Sequence, residues 1–421
     1  MTATTATDPR ITEELALNGG TPVRTAPFPN VGEPSGRRIG EEEIAAVTEV
    51  LRSGKLNSTV GTKTREFERA FGELYGVEHV VASTSGTSAI HLAVAAVDPN
   101  PGDEIITTGL SDAGTVLPIL SQNAIPVFAD VNPLSGHLDP ESVRSKITDR
   151  TKAIIAVHLF GVAAPVEELR EIADEHGIIL IEDCAQAYLA RTASGRLAGT
   201  VGHLGCFSLQ QSKHITAGDG GLTISNDAAL GRRARLFVDK AWPRDTNERT
   251  HLFLGLNYRM TELQAAVAHA QLAKLEGVVG DRQRLAAPLV EVVAGLPGLT
   301  PAKAEGTAWW LFPIFIDPEV AGGDAAAWGK ALGAEGIGAS PGYIGHPLYL
   351  NPVLAEARTY GTSGFPIAEV ADRYAPGLCP ETEKLINGGT MMVLPWNENY
   401  TEADVADIAA ALQKVSRAFT S

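Results

Sequence analysis

Five short runs constrain this chain more than anything else in it: His79-Val-Val-Ala82, Glu104-Ile-Ile-Thr107, Pro126-Val-Phe-Ala129, Ala153-Ile-Ile-Ala-Val157 and Ile178-Ile-Leu-Ile181. Each is mostly apolar at odd and even positions alike, so a strand built from it must be covered on both faces. Helical patterns fill the intervals: Ala89 to Val97 is apolar throughout, and further helices are expected from about Ala113, near Asp139 and near Pro165. Buried strands alternating with helices make an α/β fold with a mostly parallel sheet. Ligands of such sheets sit beyond the carboxyl ends of the strands. The residues that follow each run therefore carry the functional information.

The flanking segments complete the layout. Residues 1–40 are expected to form an N-terminal arm, extended and rich in Gly and Pro from residue 11. Glu41 to Ser53 places Ile44, Val47 and Leu51 on one face, and Thr62 to Tyr75 does so with Phe67, Phe71 and Leu74 before Gly76 stops it. Met260 to Leu275 and Val278 to Val293 also read as helices. After Gly298 the units shorten: a strand at Trp310 to Phe315, a helix at Asp324 to Gly333, a loop-rich stretch from Ile337 to Pro380, a strand at Met392 to Leu394 and a closing helix from Thr401 to Ala418. The expected division is an arm (1–40), a large domain (41–284) and a smaller C-terminal α+β domain (285–421).

Charge and cysteine usage narrow the function. A net charge of −16 argues against nucleic-acid binding, which needs clustered Lys and Arg. No apolar run is long enough to span a bilayer, and residues 1–10 lack the apolar core of a signal peptide. Cys184, Cys206 and Cys379 are odd in number and far apart, which fits neither a disulfide framework nor a zinc site. The expectation is a cytoplasmic protein with no metal, since the ten histidines show no ligand spacing.

Three strand ends carry residues that fit one chemistry. Ser85-Gly86-Thr87-Ser88 opens a helix, where small residues and free N–H groups suit a phosphate, though an ordinary N-cap reads the same way. Glu182-Asp183-Cys184-Ala185-Gln186 ends a buried strand with acids that need partners, and a pyridinium nitrogen is one such partner. In the stretch from Cys206 to Gly221, a short strand holding Ser208 leads to Lys213 on a loop closed by Gly218, Gly220 and Gly221. A lysine fixed in this way can lose its proton and attack a carbonyl. A lysine for an imine, an acid for a ring nitrogen and a helix-terminal phosphate site together describe a pyridoxal phosphate enzyme.

The chain resembles the DegT/DnrJ/EryC1/StrS family of sugar aminotransferases, which are fold-type I pyridoxal phosphate enzymes. The resemblance runs from Asn18-Gly-Gly-Thr-Pro-Val-Arg24 through Ser85-Gly-Thr-Ser-Ala89, Pro101-Gly-Asp-Glu104, Pro126-Val-Phe-Ala-Asp130 and His158-Leu-Phe-Gly161. Its most specific parts are Ile181-Glu-Asp-Cys-Ala-Gln186, the Lys213 loop and Leu256-Asn-Tyr-Arg-Met-Thr-Glu-Leu-Gln264. The resemblance implies that Lys213 bonds the cofactor and moves the proton, and that Asp183 faces the ring nitrogen. Gln186 falls near the ring hydroxyl, and Gly86, Thr87 and Ser208 at the phosphate. Asn257 matches an asparagine that reaches the phosphate of a neighbouring subunit, which implies a homodimer with shared sites. Tyr343 and His346, with His214 beside the lysine, are weaker candidates for substrate contacts.

The implied reaction moves an amino group from glutamate or glutamine to the ketone of a sugar, nucleotide-linked or free, or of a cyclitol, with the cofactor alternating between its PLP and PMP forms. A dehydratase of the same family would carry histidine at the lysine position. The spacing to Gly218-Asp-Gly-Gly221 puts Lys213 there, not His214. A regulatory protein that keeps the cofactor without turnover is disfavoured by intact Lys213 and Asp183.

One departure stands out. Many relatives follow the strand at Glu104 with an aromatic residue that lies against the cofactor, where this chain has Ser111-Asp112-Ala113-Gly114-Thr115. Asp112 either caps the helix expected from Ala113 or faces the pocket and accepts hydrogen bonds there. Trp309-Trp310 reads as core and rim of the second domain rather than as a stacking platform.

Overall fold

The computed structural model describes residues 8–421. Its larger sheet has seven strands: β1 (His79–Ser83), β2 (Glu104–Thr108), β3 (Ile125–Ala129), β4 (Thr151–Val157), β5 (Ile179–Asp183), β6 (Leu204–Ser208) and β7 (Gly221–Ser225). Their order is β1-β7-β6-β5-β4-β2-β3. Neighbours from β6 across to β3 run parallel, whereas β7 is antiparallel to both β6 and β1. The five apolar runs form β1 to β5, as their two-sided apolar character requires. Strand β7 is an addition: the glycines that close the Lys213 loop also start a buried strand, which the sequence reading stopped short of.

Helices α1 (Glu41–Ser53) and α2 (Lys63–Tyr75) precede the sheet. Helices α3 (Gly86–Val97), α4 (Leu117–Ser121), α5 (Pro140–Lys146), α6 (Val166–His176) and α7 (Ala228–Phe237) lie between or after its strands. Helix α3 is buried along nearly its whole length because alanines and branched aliphatics cover every face of it. The helix expected from Ala113 is instead a single 3₁₀ turn (Ala113–Thr115) followed by α4, which Pro118 starts afresh. In α1 the expected apolar face is turned outward: Ile44 and Leu51 are exposed, while Glu43 and Val50 are buried.

Helices α8 (Glu262–Leu272) and α9 (Leu275–Ala294) lead to a second, antiparallel sheet of β8 (Leu299–Pro301), β9 (Leu311–Ile316), β10 (Ser340–Pro341) and β11 (Met391–Pro395). Around it lie α10 (Ala325–Ala334), α12 (Pro380–Asn387) and α13 (Glu402–Thr420), whereas α11 (Pro352–Ala355) puts Leu354 in a cluster with α4 and β3 at the edge of the larger sheet. Position 285 falls inside α9. The first turns of α9 bury Leu275 and Val279 against the larger sheet's core, and its later turns bury Leu285, Leu289 and Val293 in the core of the smaller one. The first half of the described arm belongs to the smaller unit: Leu15 and Val23 enter its core, and the buried Glu335 accepts from the Ala16 and Val23 N–H groups while pairing with Lys414. No helix among the described residues is long and apolar enough to cross a membrane.

Candidate active site

A cleft of about 310 Å³ opens at the carboxyl ends of β1, β2, β5 and β6. It gathers Gly86, Thr87, Asp112, Asp183, Gln186, Ser208, Lys213 and Tyr343, which come from widely separated parts of the sequence. Ser85 caps α3 through a reciprocal pair, its Oγ accepting from Ser88 N at 3.0 Å while Ser88 Oγ accepts from Ser85 N at 2.8 Å. The first-turn N–H groups of Gly86 and Thr87 have no acceptor within the helix. Gly86 lies so close to the end of β6 that an added Cβ would sit 2.6 Å from Ser208 Cβ. That contact sets the Ser208 hydroxyl beside the helix N-terminus, in a cradle that suits an anion.

Asp183 ends β5 and is 5% exposed. Its Oδ1 accepts from Ala185 N at 3.1 Å and its Oδ2 from Thr115 Oγ1 at 2.9 Å. Burial pushes its carboxyl above the usual range, opposed by these two hydrogen bonds and by the Lys213 charge. Thr115 is in turn paired with Ser111 at 2.8 Å. The local sequence gives neither hydroxyl a role, because only the 3₁₀ turn brings Thr115 against the end of β5.

Lys213 sits on the turn between β6 and β7. Arg37 donates to its backbone oxygen at 2.6 Å, which ties the loop to the arm. Its Nζ lies 4.1 Å from the ring centre of Trp310. Removal from water pulls its ammonium down from 10.5 to about 8, with Asp183 and Asp112 acting the other way. Trp310 itself is fixed by its indole N–H, which donates to Ser212 O at 2.8 Å. Trp309 is core, as expected, but Trp310 lines the cleft, so the reading of the pair as core and rim holds for only one of them. No local pattern reveals this, because the contact spans 98 positions.

Gln186 bridges a backbone N–H and a phenol: its Oε1 accepts from Phe160 N at 2.7 Å, and its Nε2 donates to Tyr343 OH at 3.0 Å. Asp112 meets both earlier readings at once. Its Oδ1 accepts from Gly114 N at 2.8 Å, capping the 3₁₀ turn, and the exposed side chain also borders the cleft.

Three candidates lie outside the cleft. His214 is 1% exposed and packed in the core, with Nε2 against Ala308 O at 2.9 Å. It does not line the cleft that holds Lys213, which leaves it no surface for substrate. His346 is at the surface, bonded to Asn351 Oδ1 at 2.9 Å. Asn257 is exposed and bridges to Asp239, away from its own chain's cleft.

Behind the cleft, His158, Glu182 and Cys184 bring their polar atoms within 4.8 Å of one another. Hydrogen bonds consume the carboxylate and the imidazole. His158 Nδ1 accepts from Ala164 N at 3.0 Å, which leaves its Nε2–H to donate to Glu182 at 2.8 Å. Glu182 also accepts from the N–H groups of Gly199, Val201 and Gly202. The group anchors the strand end that carries Asp183.

Comparison with known proteins gives the family. The model of the DegT/DnrJ/EryC1/StrS aminotransferase family matches residues 37–413. An L-glutamine:2-deoxy-scyllo-inosose aminotransferase from Streptomyces kanamyceticus is 35% identical over 440 residues, covering 97% of this chain and 98% of its own. Among solved structures, DesI with its TDP-sugar product superposes with a TM-score of 0.79 at 28% identity, covering 96% of each chain. NtdA from Bacillus subtilis with bound cofactor PMP gives a TM-score of 0.79 at 25% identity, covering 93% of this chain and 85% of its own. The chain belongs to the DegT/DnrJ/EryC1/StrS aminotransferase family.

Proposed function

We propose that this aminotransferase uses pyridoxal phosphate to move the amino group of glutamine to the ketone of a cyclitol, working as a homodimer in the cytoplasm. The observation that carries the reading is the meeting of Lys213, Asp183 and the Gly86–Ser208 cradle in one cleft. The residues fit the cofactor. An added Cβ at Gly86 would fill the cradle, and the Asp183 carboxylate is buried with room for a cationic partner. When bound, the cofactor supplies a carbonyl carbon that carries nitrogen and a ring that takes up an electron pair.

The chain's own residues supply the rest. The N–H groups of Gly86 and Thr87 and the Ser208 hydroxyl would hold the phosphate. Asp183, kept in place by Thr115 and Ala185 N–H, would hold a proton at the ring nitrogen. Gln186 and Tyr343, bonded to each other at the cleft wall, would flank the bound ring. Lys213 is a better base than an ordinary lysine at neutral pH, because lowering its amine from 10.5 to about 8 leaves a minor fraction unprotonated there, where a solvated lysine is almost wholly charged. Glutamine as donor and a cyclitol as acceptor follow the substrates named for the Streptomyces relative. The neighbour solved with a TDP-sugar gives the competing acceptor, a nucleotide-linked keto-sugar.

The test is spectroscopic. Glutamine added to the enzyme loaded with pyridoxal phosphate should bleach its visible absorption, and a keto-cyclitol, not a nucleotide-linked keto-sugar, should restore it. No bleaching by any amino acid would overturn the reaction, and restoration only by the nucleotide sugar would overturn the acceptor.

A further inference from the structure

The cleft has an aromatic wall that the resemblance does not provide for. Trp310 turns one indole face toward Lys213 Nζ at 4.1 Å, so a molecule reacting at the lysine must pass along that face. The ring cannot swing away. Its N–H is held by Ser212 O at 2.8 Å, and its own carbonyl accepts from Arg282 Nη1 at 3.1 Å. Tyr343 stands edge-on to it, with ring centres 6.2 Å apart and an interplanar angle of 89°, and is itself held by Gln186. Among the described residues no other ring packs on Trp310.

Asp112 borders the same cleft. Only its Oδ1 is engaged, by Gly114 N. Its second oxygen has no partner among the described residues, and its charge acts on both Lys213 and Tyr343. The lining of the cleft holds three carboxylates, Asp112, Asp183 and Asp219, against one cation, Lys213. A diphosphate group brought against Asp112 and Asp219 would be repelled. A neutral ring with equatorial hydroxyls suits the lining instead. Its faces are C–H surface, which packs on an indole, and its perimeter donates hydrogen bonds to a carboxylate.

We propose that Trp310 and Asp112 form the acceptor subsite, the indole carrying the apolar face of a neutral polyol ring and the carboxylate accepting its hydroxyls. This rests on the aminotransferase reading above, and two independent measurements separate the two. The first is calorimetric binding of scyllo-inositol, a polyol with no ketone, to the cofactor-loaded enzyme. The parent should bind it. Trp310→Leu and Asp112→Asn should each weaken binding at least ~10-fold, about 1.4 kcal/mol, and Trp310→Phe, which keeps an aromatic face, should recover most of the loss. Uridine diphosphate should bind far more weakly than the polyol.

The second measurement times the two half-reactions separately. Both variants should slow the keto-cyclitol step at least ~10-fold more than the glutamine step. Parental polyol binding in both variants, an equal loss in both half-reactions, or preference for uridine diphosphate would each overturn the subsite. A parent enzyme that binds scyllo-inositol through Trp310 but does not react with glutamine would overturn the reaction and leave the subsite standing.

Discussion

Lys213 is held in its reactive form at a cost to the fold. Burial lowers its amine from 10.5 to about 8, so below pH 8 the folded protein carries a charge it solvates poorly. The sign follows from proton counting. Below about 8 both folded and unfolded chains hold the proton and the penalty is complete. Between about 8 and 10.5 only the unfolded chain holds it, so stability rises with pH through that window. Lys213→Met has similar bulk and no charge. It is expected to be inactive yet more stable than the parent at pH 7, by on the order of 1 kcal/mol once solvent screening of this half-buried group is allowed for. The gap should narrow by pH 10. Urea unfolding of both proteins without added cofactor, at the two pH values, reads it directly. An equal gap at both would mean that the amine is not held out of water. Asp183 is the counterpart, a carboxylate kept in a dry place by a threonine and a backbone N–H.

Helix α9 joins the two sheets, and its buried charge locks the join. Arg282 is fully buried. It pairs with Glu398 at 2.6 Å and donates to the carbonyls of Trp309, Trp310 and Trp396. Arg282→Met strands Glu398 and these carbonyls at once. The expected loss is about 3–5 kcal/mol of stability, as for other broken buried pairs, and the double variant Arg282→Met/Glu398→Gln should regain part of it. Chemical unfolding midpoints check this, and a loss under 1 kcal/mol would show that the pair is not holding the join.

Elements like α9 also show what a sequence reveals. Strands β1 to β5 were legible because burial on both faces leaves an uninterrupted apolar signature. Gly86, Asp183, Ser208 and Lys213 were legible because they stand at strand ends. Strand β7 was hidden by its opening glycines, and α12 by the surrounding loop residues. Ile44 and Leu51 show the reverse error: their spacing marks an apolar face, but nothing in the spacing says whether it turns toward this chain's core. Trp310, Thr115 and Arg37 reach the cleft only through contacts between distant segments, which no local pattern encodes.

That outward-turned face bears on the molecule as a whole. Ile44, Leu51, Leu56 and Val60 are all between 46% and 59% exposed, and Leu254 is 86% exposed. The backbone bridge between Asn57 and Thr261 brings the Leu56 turn against the segment that carries Asn257. Clustered exposed aliphatics of this kind mark an association surface. A two-fold dimer built on it would bury the same patch twice. We propose that Asn257 then serves the phosphate of the neighbouring site, which accounts for its exposure and its distance from its own cleft. The arrangement predicts complementation between dead chains. In a hybrid of Lys213→Ala and Asn257→Ala chains, one site has both defects and the other takes its lysine from one chain and its asparagine from the other, both native. Random exchange makes half the dimers hybrids, so mixing equal amounts should recover about a quarter of the parental activity. If each chain served its own site, every site in the mixture would carry a defect and mixing would recover nothing. Activity that stays at the average of the two variants, after subunit exchange has been verified by mass spectrometry, would therefore exclude the shared site.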